Sequence, residues 1–402
     1  MTAFSDIRVI DLSTGVAGPF CSKLFADFGA DVIKIEPPIT GDESRRLGPF
    51  PDDDDDPEAS GMFQYLNTNK QSVTLDVTTP AGRDILRELV PLADIVIESF
   101  SPDTMKDMGF GFPDIQRLRD DAILVSVTPF GQTGPWRGHQ ATDLVQYAAS
   151  GIGYINGTPD REPLKEPGNQ SQFHGGTCAF LGAATALIYR DISGVGQHVD
   201  VSTLEAVTTA FAPQLLGSQH TGASQTRRFP GLPSGLLPCK DGFVALNVRH
   251  QPTWAHLWLF FEEPEMADDP RFATAEDRRA RTDELAEVIT PRLKRFTMQE
   301  LYHGLSPLRI NVGMTLDIEQ LVNDEHMIKR GFLVPISQSS QTDSDGTQEL
   351  QTMPGVPFKM SGTPWEIRTH APTLGQHNVE VFGKTLGYSK HLLEQWRSEG
   401  VI

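Results

Sequence analysis

Short runs of β-branched and aliphatic residues alternate with helix-like segments through the first third of the chain, and this alternation sets the fold class. Arg8–Leu12 (RVIDL), Asp31–Glu36 (DVIKIE), Ser72–Val77 (SVTLDV), Asp94–Glu98 (DIVIE) and Ala122–Val127 (AILVSV) read as strands. Helical patterns run from Cys21 to Phe28 and from Pro80 to Leu92. In the second of these a proline stands at the start, where its missing N–H is harmless. Strands apolar along their whole length, separated by helices, specify a parallel sheet covered on both faces. The expected fold is therefore α/β, with an open parallel sheet.

The rhythm changes further on. Gly175–Arg190 (GGTCAFLGAATALIYR) is rich in alanine and apolar all round, which predicts a buried helix. A turn at Ser193–Gln197 and a strand at His198–Ser202 follow. Residues from Gln219 to Pro238 are rich in Gly, Ser and Pro and read as a linker. After them come a strand (Phe243–Val248), an aromatic helix (Trp254–Phe261) and an amphipathic helix (Asp283–Arg295), the pattern of a second, smaller domain. Ser337–Thr352 is polar and reads as a surface loop, and Ser389–Glu399 as a last helix. Asp52–Asp56 is a run of five aspartates whose mutual repulsion predicts a solvated loop.

At 402 residues the chain suits two domains, and 38% hydrophobic content suffices to bury their cores. The formal net charge of −19 opposes binding to nucleic acid or to an anionic membrane, both of which need clustered cations. An anionic ligand would need a local basic or dipolar pocket. Cys21, Cys178 and Cys239 are odd in number and widely spaced, which predicts neither a disulfide framework nor a metal site. No stretch approaches the roughly 18 apolar residues of a membrane span, and the N-terminus has no cationic-then-apolar leader. A cytoplasmic location is expected.

Eight segments, in order, resemble the class III CoA-transferase family, which includes formyl-CoA transferase, carnitine CoA-transferase and α-methylacyl-CoA racemase. They are VIDLSTGVAGPFCSKLFADFGADVIKIEPPITGDESR, LNTNKQSVTLDVTTPAGRDIL, ADIVIESFSPDTMKDMGF, VSVTPFGQTGPW, TDLVQYAASG, ALIYRDISGVGQHVDVSTLEA, PGVPFKMSGTP and APTLGQHNVEVF. The resemblance implies a large α/β domain built from both chain ends, with a small domain inserted from the middle. It also implies a dimer of two interlocked rings, either of identical chains or with a homologous subunit. Together with the composition shift near Gln219, it suggests residues 1–218 and 336–402 for the large domain and 219–335 for the small one. The implied ligands are coenzyme A or an acyl-CoA, with an organic acid as the second substrate and no metal.

The family pattern places CoA contacts at Val16, Ala17, Gly18, Pro37, Asn69, Lys70, Gln71, Ser99, Phe100 and Thr142. Gly18 follows the first strand, where a residue without Cβ allows close approach, or else serves only a tight turn. The N–H groups opening the next helix could receive phosphate or thioester oxygen. Lys70 could offset phosphate charge. CoA transfer in the family uses an aspartate just before the apolar helix as nucleophile, because a carboxylate both attacks a thioester and leaves an anhydride readily. That slot falls at Gln172, or at Ser171 with a slip of one residue, and neither is a carboxylate. The racemase histidine falls on Thr142, next to Asp143, so both racemase bases are missing. Asp143 is the remaining acid there, and Asp160, Glu162, Glu166, His174 and Cys178 are the other nearby candidates for a substitute nucleophile. The formyl-CoA transferase flap is echoed only by Gly231–Gly235 (GLPSG). Three readings follow: a CoA-transferase, a CoA-binding subunit paired with a homologous catalytic subunit, or another acyl-CoA lyase or isomerase.

Overall fold

The computed structural model describes residues 2–51, 55–224, 226–227, 232–248, 250–336 and 351–402. The chain divides into two compact units. One comprises Met1–Asn156, Pro163–Gln225 and Pro335–Ile402, and the other Gly157–Glu162 and Thr226–Val334.

The larger unit is built on six strands: β1 (Arg8–Asp11), β2 (Asp31–Glu36), β3 (Lys70–Thr74), β4 (Ile95–Glu98), β5 (Ile123–Thr128) and β6 (His198–Ser202). They form one sheet in the order β3-β2-β1-β4-β5-β6, and every pairing is parallel. The helices are α1 (Ala17–Asp27), α2 (Gly61–Leu66), α3 (Pro80–Leu89), α4 (Thr104–Asp107), α5 (Phe112–Leu118), α6 (Asp143–Ala149), α7 (Ile152–Ile155), α8 (Gln170–Ser193), α9 (Thr203–Thr209) and α10 (Ala212–Thr221). Alternate strand residues feed two cores. Ile10, Ile33, Val96 and Leu124 pack with α3, α5 and the C-terminal residues Val381, Phe382 and Leu393. Val9, Val32, Ile95, Ile97 and Ile123 pack with Phe25 of α1 and Ala179 and Ala183 of α8. Burial of both faces explains the aliphatic stretches in β1, β2, β4 and β5.

The β3 edge is closed by the C-terminal segment. Ser72 N–H donates to His377 Nδ1 (3.1 Å), and Thr74 N–H to Asn378 Oδ1 (2.8 Å). The backbone of His377 returns a bond to Ser72 O (2.9 Å). An edge so occupied cannot template another strand.

The smaller unit holds an antiparallel sheet of β7 (Gly235–Pro238), β8 (Phe243–Asn247) and β9 (Asn311–Met314). Helices α11 (Gln251–Phe260), α12 (Ala275–Ala280), α13 (Thr282–Leu293) and α14 (Met298–Leu305) belong to it as well. Its core gathers Trp254, Trp258, Phe261, Leu285, Ile289 and Leu301.

Three expectations are corrected. The division between residues 218 and 219 falls inside α10, which continues to Thr221 and ends on Gly222 in the left-handed region (φ 68°). The helix read as Gly175–Arg190 runs from Gln170 to Ser193, and it is not buried all round: Leu181, Ile188 and Ile192 are 65%, 64% and 82% exposed. The linker read over Gln219–Pro238 ends as strand β7. Most of the polar stretch Ser337–Thr352 lies outside the described residues, as do Asp52, Asp53, Asp54 and Gly231.

Candidate active site

Ligands of open parallel sheets bind beyond the carboxyl ends of the strands, where the strand order reverses. Here the reversal lies between β1 and β4, and a cleft of about 560 Å³ opens there. Its wall is formed by Thr14–Gly18 after β1, Ser99–Pro102 after β4, Val127–Pro129 after β5 and Arg137–Asp143 leading into α6. Asn169 and Gln172 at the start of α8, together with Thr203, Glu43 and Leu47, complete it.

The turn after β1 is fixed from behind by buried charge. Gly15, at φ 82°, donates its N–H to Asp42 Oδ1 (3.1 Å). Lys34 Nζ bonds Ser13 O (3.0 Å) and ion-pairs with Asp42 (2.6 Å) and, more distantly, Asp11 (3.7 Å). Burial alone would push the Asp11 carboxyl up, but Lys34, Lys70 and the Ser13 and Ser22 hydroxyls hold it at about 2. Burial opposes the Lys34 charge, and Asp11, Asp42 and Glu36 overcome it, so the ammonium binds its proton more tightly than usual. Gly18 resolves the choice between tight turn and ligand approach: a Cβ there would lie 2.2 Å from Ser13 Cβ. The absent side chain serves the fold-back of the turn. No side chain caps α1, and the Val16, Ala17 and Gly18 residues at its start line the cleft. Ser99 Oγ ties the two strand ends together by accepting from Thr14 N–H (2.9 Å).

Gln172 stands in the first turn of α8. Its Nε2 donates to Gln146 Oε1 (3.0 Å), which also accepts from Thr203 Oγ1 (2.6 Å). Asp143 accepts the N–H groups of Ser171 (2.8 Å) and Gln172 (3.3 Å) through Oδ1 and pairs with Lys165 (2.8 Å) through Oδ2. Both oxygens of Asp143 are thus committed, and its role here is to hold the start of α8.

Two glycines let α8 come this close. A Cβ on Gly176 would lie 2.5 Å from Ala17 O, and one on Gly175 would lie 2.3 Å from Thr203 Cγ2. Gly176→Ala is expected to destabilise the protein by about 1–3 kcal/mol despite alanine's better helix propensity, because the obstacle is backbone. Thermal unfolding and CoA affinity should both fall, since the displaced α8 carries Gln172 with it.

Of the expected contact residues, Val16, Ala17, Gly18, Ser99, Phe100, Thr142, Asp143 and Gln172 meet at this cleft. Pro37, Asn69, Lys70 and Gln71 do not line it. Lys70 is 2% exposed, and its ammonium is spent on Asp11 (3.2 Å), Pro19 O (2.9 Å) and Asn67 Oδ1 (2.8 Å), so it offsets a protein carboxylate and not a phosphate. Burial lowers its affinity for the proton to a pKa of about 8. Asn69 secures the C-terminal segment through Arg368 N–H (2.6 Å) and Thr369 N–H (3.0 Å). Glu166 and His174 are exposed, Cys178 is half-buried, Asp160 and Glu162 fall in the smaller unit, and none lines the cleft. Sequence reasoning missed Arg137, the only permanent cation among the described lining residues, which is half exposed and paired with Asp103 (2.9 Å). Its one signal was a lone cation in a Gly- and Pro-rich stretch.

Residues 4–378 match the model of CoA-transferase family III. The succinyl-CoA–D-citramalate CoA-transferase of Chloroflexus aurantiacus is 33% identical, over 99% of this chain and 97% of its own length. The BbsE subunit of succinyl-CoA:(R)-benzylsuccinate CoA-transferase from Thauera aromatica is 31% identical, over 94% of this chain and 93% of that one. A CAIB/BAIF family protein from Brucella suis has a crystal structure matching with a TM-score of 0.84 at 26% identity, covering 95% of this chain and 99% of that one. Fold, cleft and near full-length match agree, and this chain belongs to CoA-transferase family III.

Proposed function

We propose that the chain moves CoA between an acyl-CoA thioester and an organic acid, with the acyl-CoA lying in the cleft beyond β1, β4 and β5 and its thioester beside Gln172. The observation that carries this reading is the meeting of the Val16–Gly18 turn with the α8 N-terminus at the switch point of the sheet. Val16, Ala17, Gly18, Ser99, Phe100 and Thr142 are the proposed CoA contacts. Arg137 is the cation available to a phosphate or carboxylate.

A second reading is favoured by two observations together. Position 172 carries an amide in place of the carboxylate that the family chemistry needs. In the larger unit, Leu181, Ile188 and Ile192 leave one side of α8 apolar and open, as an interface would. In this reading the chain is the CoA-binding half of a dimer whose homologous partner supplies the nucleophile.

The two separate on purification. The chain alone, given succinyl-CoA and a panel of dicarboxylic acids, should form the acceptor's CoA ester if it acts as a homodimer. Product only after addition of a homologous aspartate-bearing subunit selects the second reading. Conversion of a single acyl-CoA with no acceptor acid would overturn both.

A further inference from the structure

Seven acidic side chains are buried among the described residues, and six of them meet a cation. Asp11 and Asp42 meet Lys34, Asp27 meets Lys23, and Glu36 meets Arg45. Asp94 meets Arg119 and Arg190, and Asp143 meets Lys165. Glu98 is the exception. It ends β4, is 2% exposed, and immediately precedes Ser99 and Phe100 of the cleft wall.

Its hydrogen-bond partners are a backbone N–H and a hydroxyl. Glu98 Oε2 accepts the Phe100 N–H at 2.7 Å. Ser126, its register neighbour on β5, hydrogen-bonds it and lies 2.9 Å from His198 Nε2 on β6. The His198 ring stacks on Phe112 of α5 (5.9 Å between centroids), and desolvation lowers its proton affinity against the pull of Asp200. On β1 the acid, Asp11, stands in register with Ile97 and is held by Lys34 and Lys70. Asp200 is thus the charged group bearing on Glu98, and it is of the same sign. Burial pushes the Glu98 carboxyl up to about 7, with Asp200 adding to the rise and Ser126 and the Phe100 N–H working against it.

A buried carboxylate without a cation draws water towards itself, whereas the neutral acid does not. In the neutral form one oxygen accepts from Phe100 N–H while the other donates towards Ser126, whose hydroxyl can donate to His198 Nε2. We propose that Glu98 is a positioning residue that couples acyl-CoA binding to uptake of a proton: its neutral form holds the Ser99–Pro102 turn, and the anionic ligand selects that form. Negative charge brought next to the turn favours the neutral acid by the ordinary rule for like charges. This rests on the reading that acyl-CoA occupies the cleft.

Calorimetric titration with acetyl-CoA at pH 6.5 and 8.5, in buffers of different ionisation enthalpy, tests it on the wild type and on Glu98→Gln. The wild type is expected to take up a proton and to bind about tenfold more weakly at pH 8.5. Glu98→Gln should keep its pH 6.5 affinity at pH 8.5. Without ligand, the wild type should also lose stability as pH rises from about 4.5 through 7, the sign for a raised carboxyl, while Glu98→Gln does not. Equal pH dependence of binding in the two proteins, or weak binding of Glu98→Gln at both pH values, overturns the coupling alone. Failure of both proteins to bind acetyl-CoA at either pH overturns the coupling together with the assignment of the cleft.

Discussion

Gln172→Asp is expected to raise CoA exchange between an acyl-CoA and its acid by about a hundredfold or more, equivalent to about 2.7 kcal/mol of barrier. The new carboxylate would attack the thioester carbonyl, break the C–S bond and release CoA thiolate, leaving an acyl–aspartyl anhydride. The surroundings favour this. Position 172 is in the first turn of a 24-residue helix, where a negative charge is stabilised by about 0.3–1 kcal/mol. Gln146 can turn its amide to donate to the carboxylate, and Lys165 already offsets the charge of Asp143 nearby. Hydroxylamine should inactivate the variant in the presence of acyl-CoA, and mass spectrometry should find the adduct on residue 172. Gln172→Asn, which shortens the side chain without adding charge, should stay at the wild-type rate. If Gln172→Asp forms no adduct and exchanges CoA no faster, position 172 is not the nucleophile's place.

The parts of this site legible in the sequence were those set by local pattern. Strands buried on both faces leave apolar runs, so β1, β2, β4 and β5 were legible to within one residue, whereas the polar β3 was read two residues late at its start and three at its end. The start of α1 was placed four residues late because Gly18 and Pro19 read as a turn, although proline is at home in a first helical turn. Lys70 was misread for a different reason: nothing in NTNKQS shows that its ammonium turns inward to Asp11. A signal left unread lay in the charges inside the otherwise apolar strands, Asp11 in RVIDL, Lys34 in DVIKIE and Glu98 in DIVIE. Side chains facing a buried sheet must be paired or neutral, so each announced tertiary chemistry before any partner was known. The open side of α8 had no such mark, because an apolar helix reads the same whether a core or a second subunit covers it.

Lys34 carries the second large expectation. Lys34→Met removes the one cation that Asp11 and Asp42 share and leaves two buried carboxylates with less compensation. Breaking a buried pair by deleting one partner costs about 3–5 kcal/mol, more than the gain from an added apolar side chain. Denaturant melts should show that loss at pH 7. The sign of its pH dependence follows from the shifts. In the wild type, Asp11 is depressed to about 2, so its contribution is present above 3.8 and lost only as pH falls through 2. The raised Lys34 contributes until pH rises past its own ionisation, so neither group bends the wild-type curve between pH 4 and 9. Without Lys34, burial works on Asp11 with only Lys70 and the Ser13 and Ser22 hydroxyls against it, and the variant should regain stability on acidification towards pH 4. Lys34→Met with Asp42→Asn should recover part of the loss, because one orphaned charge goes with its partner. Affinity for CoA should not recover with it: an amide oxygen at position 42 can still accept the Gly15 N–H, but the hold of Lys34 on Ser13 O is gone, so the double variant stands without that support of the turn. Recovery of both stability and affinity would show that this buried pair serves the fold and not the cleft.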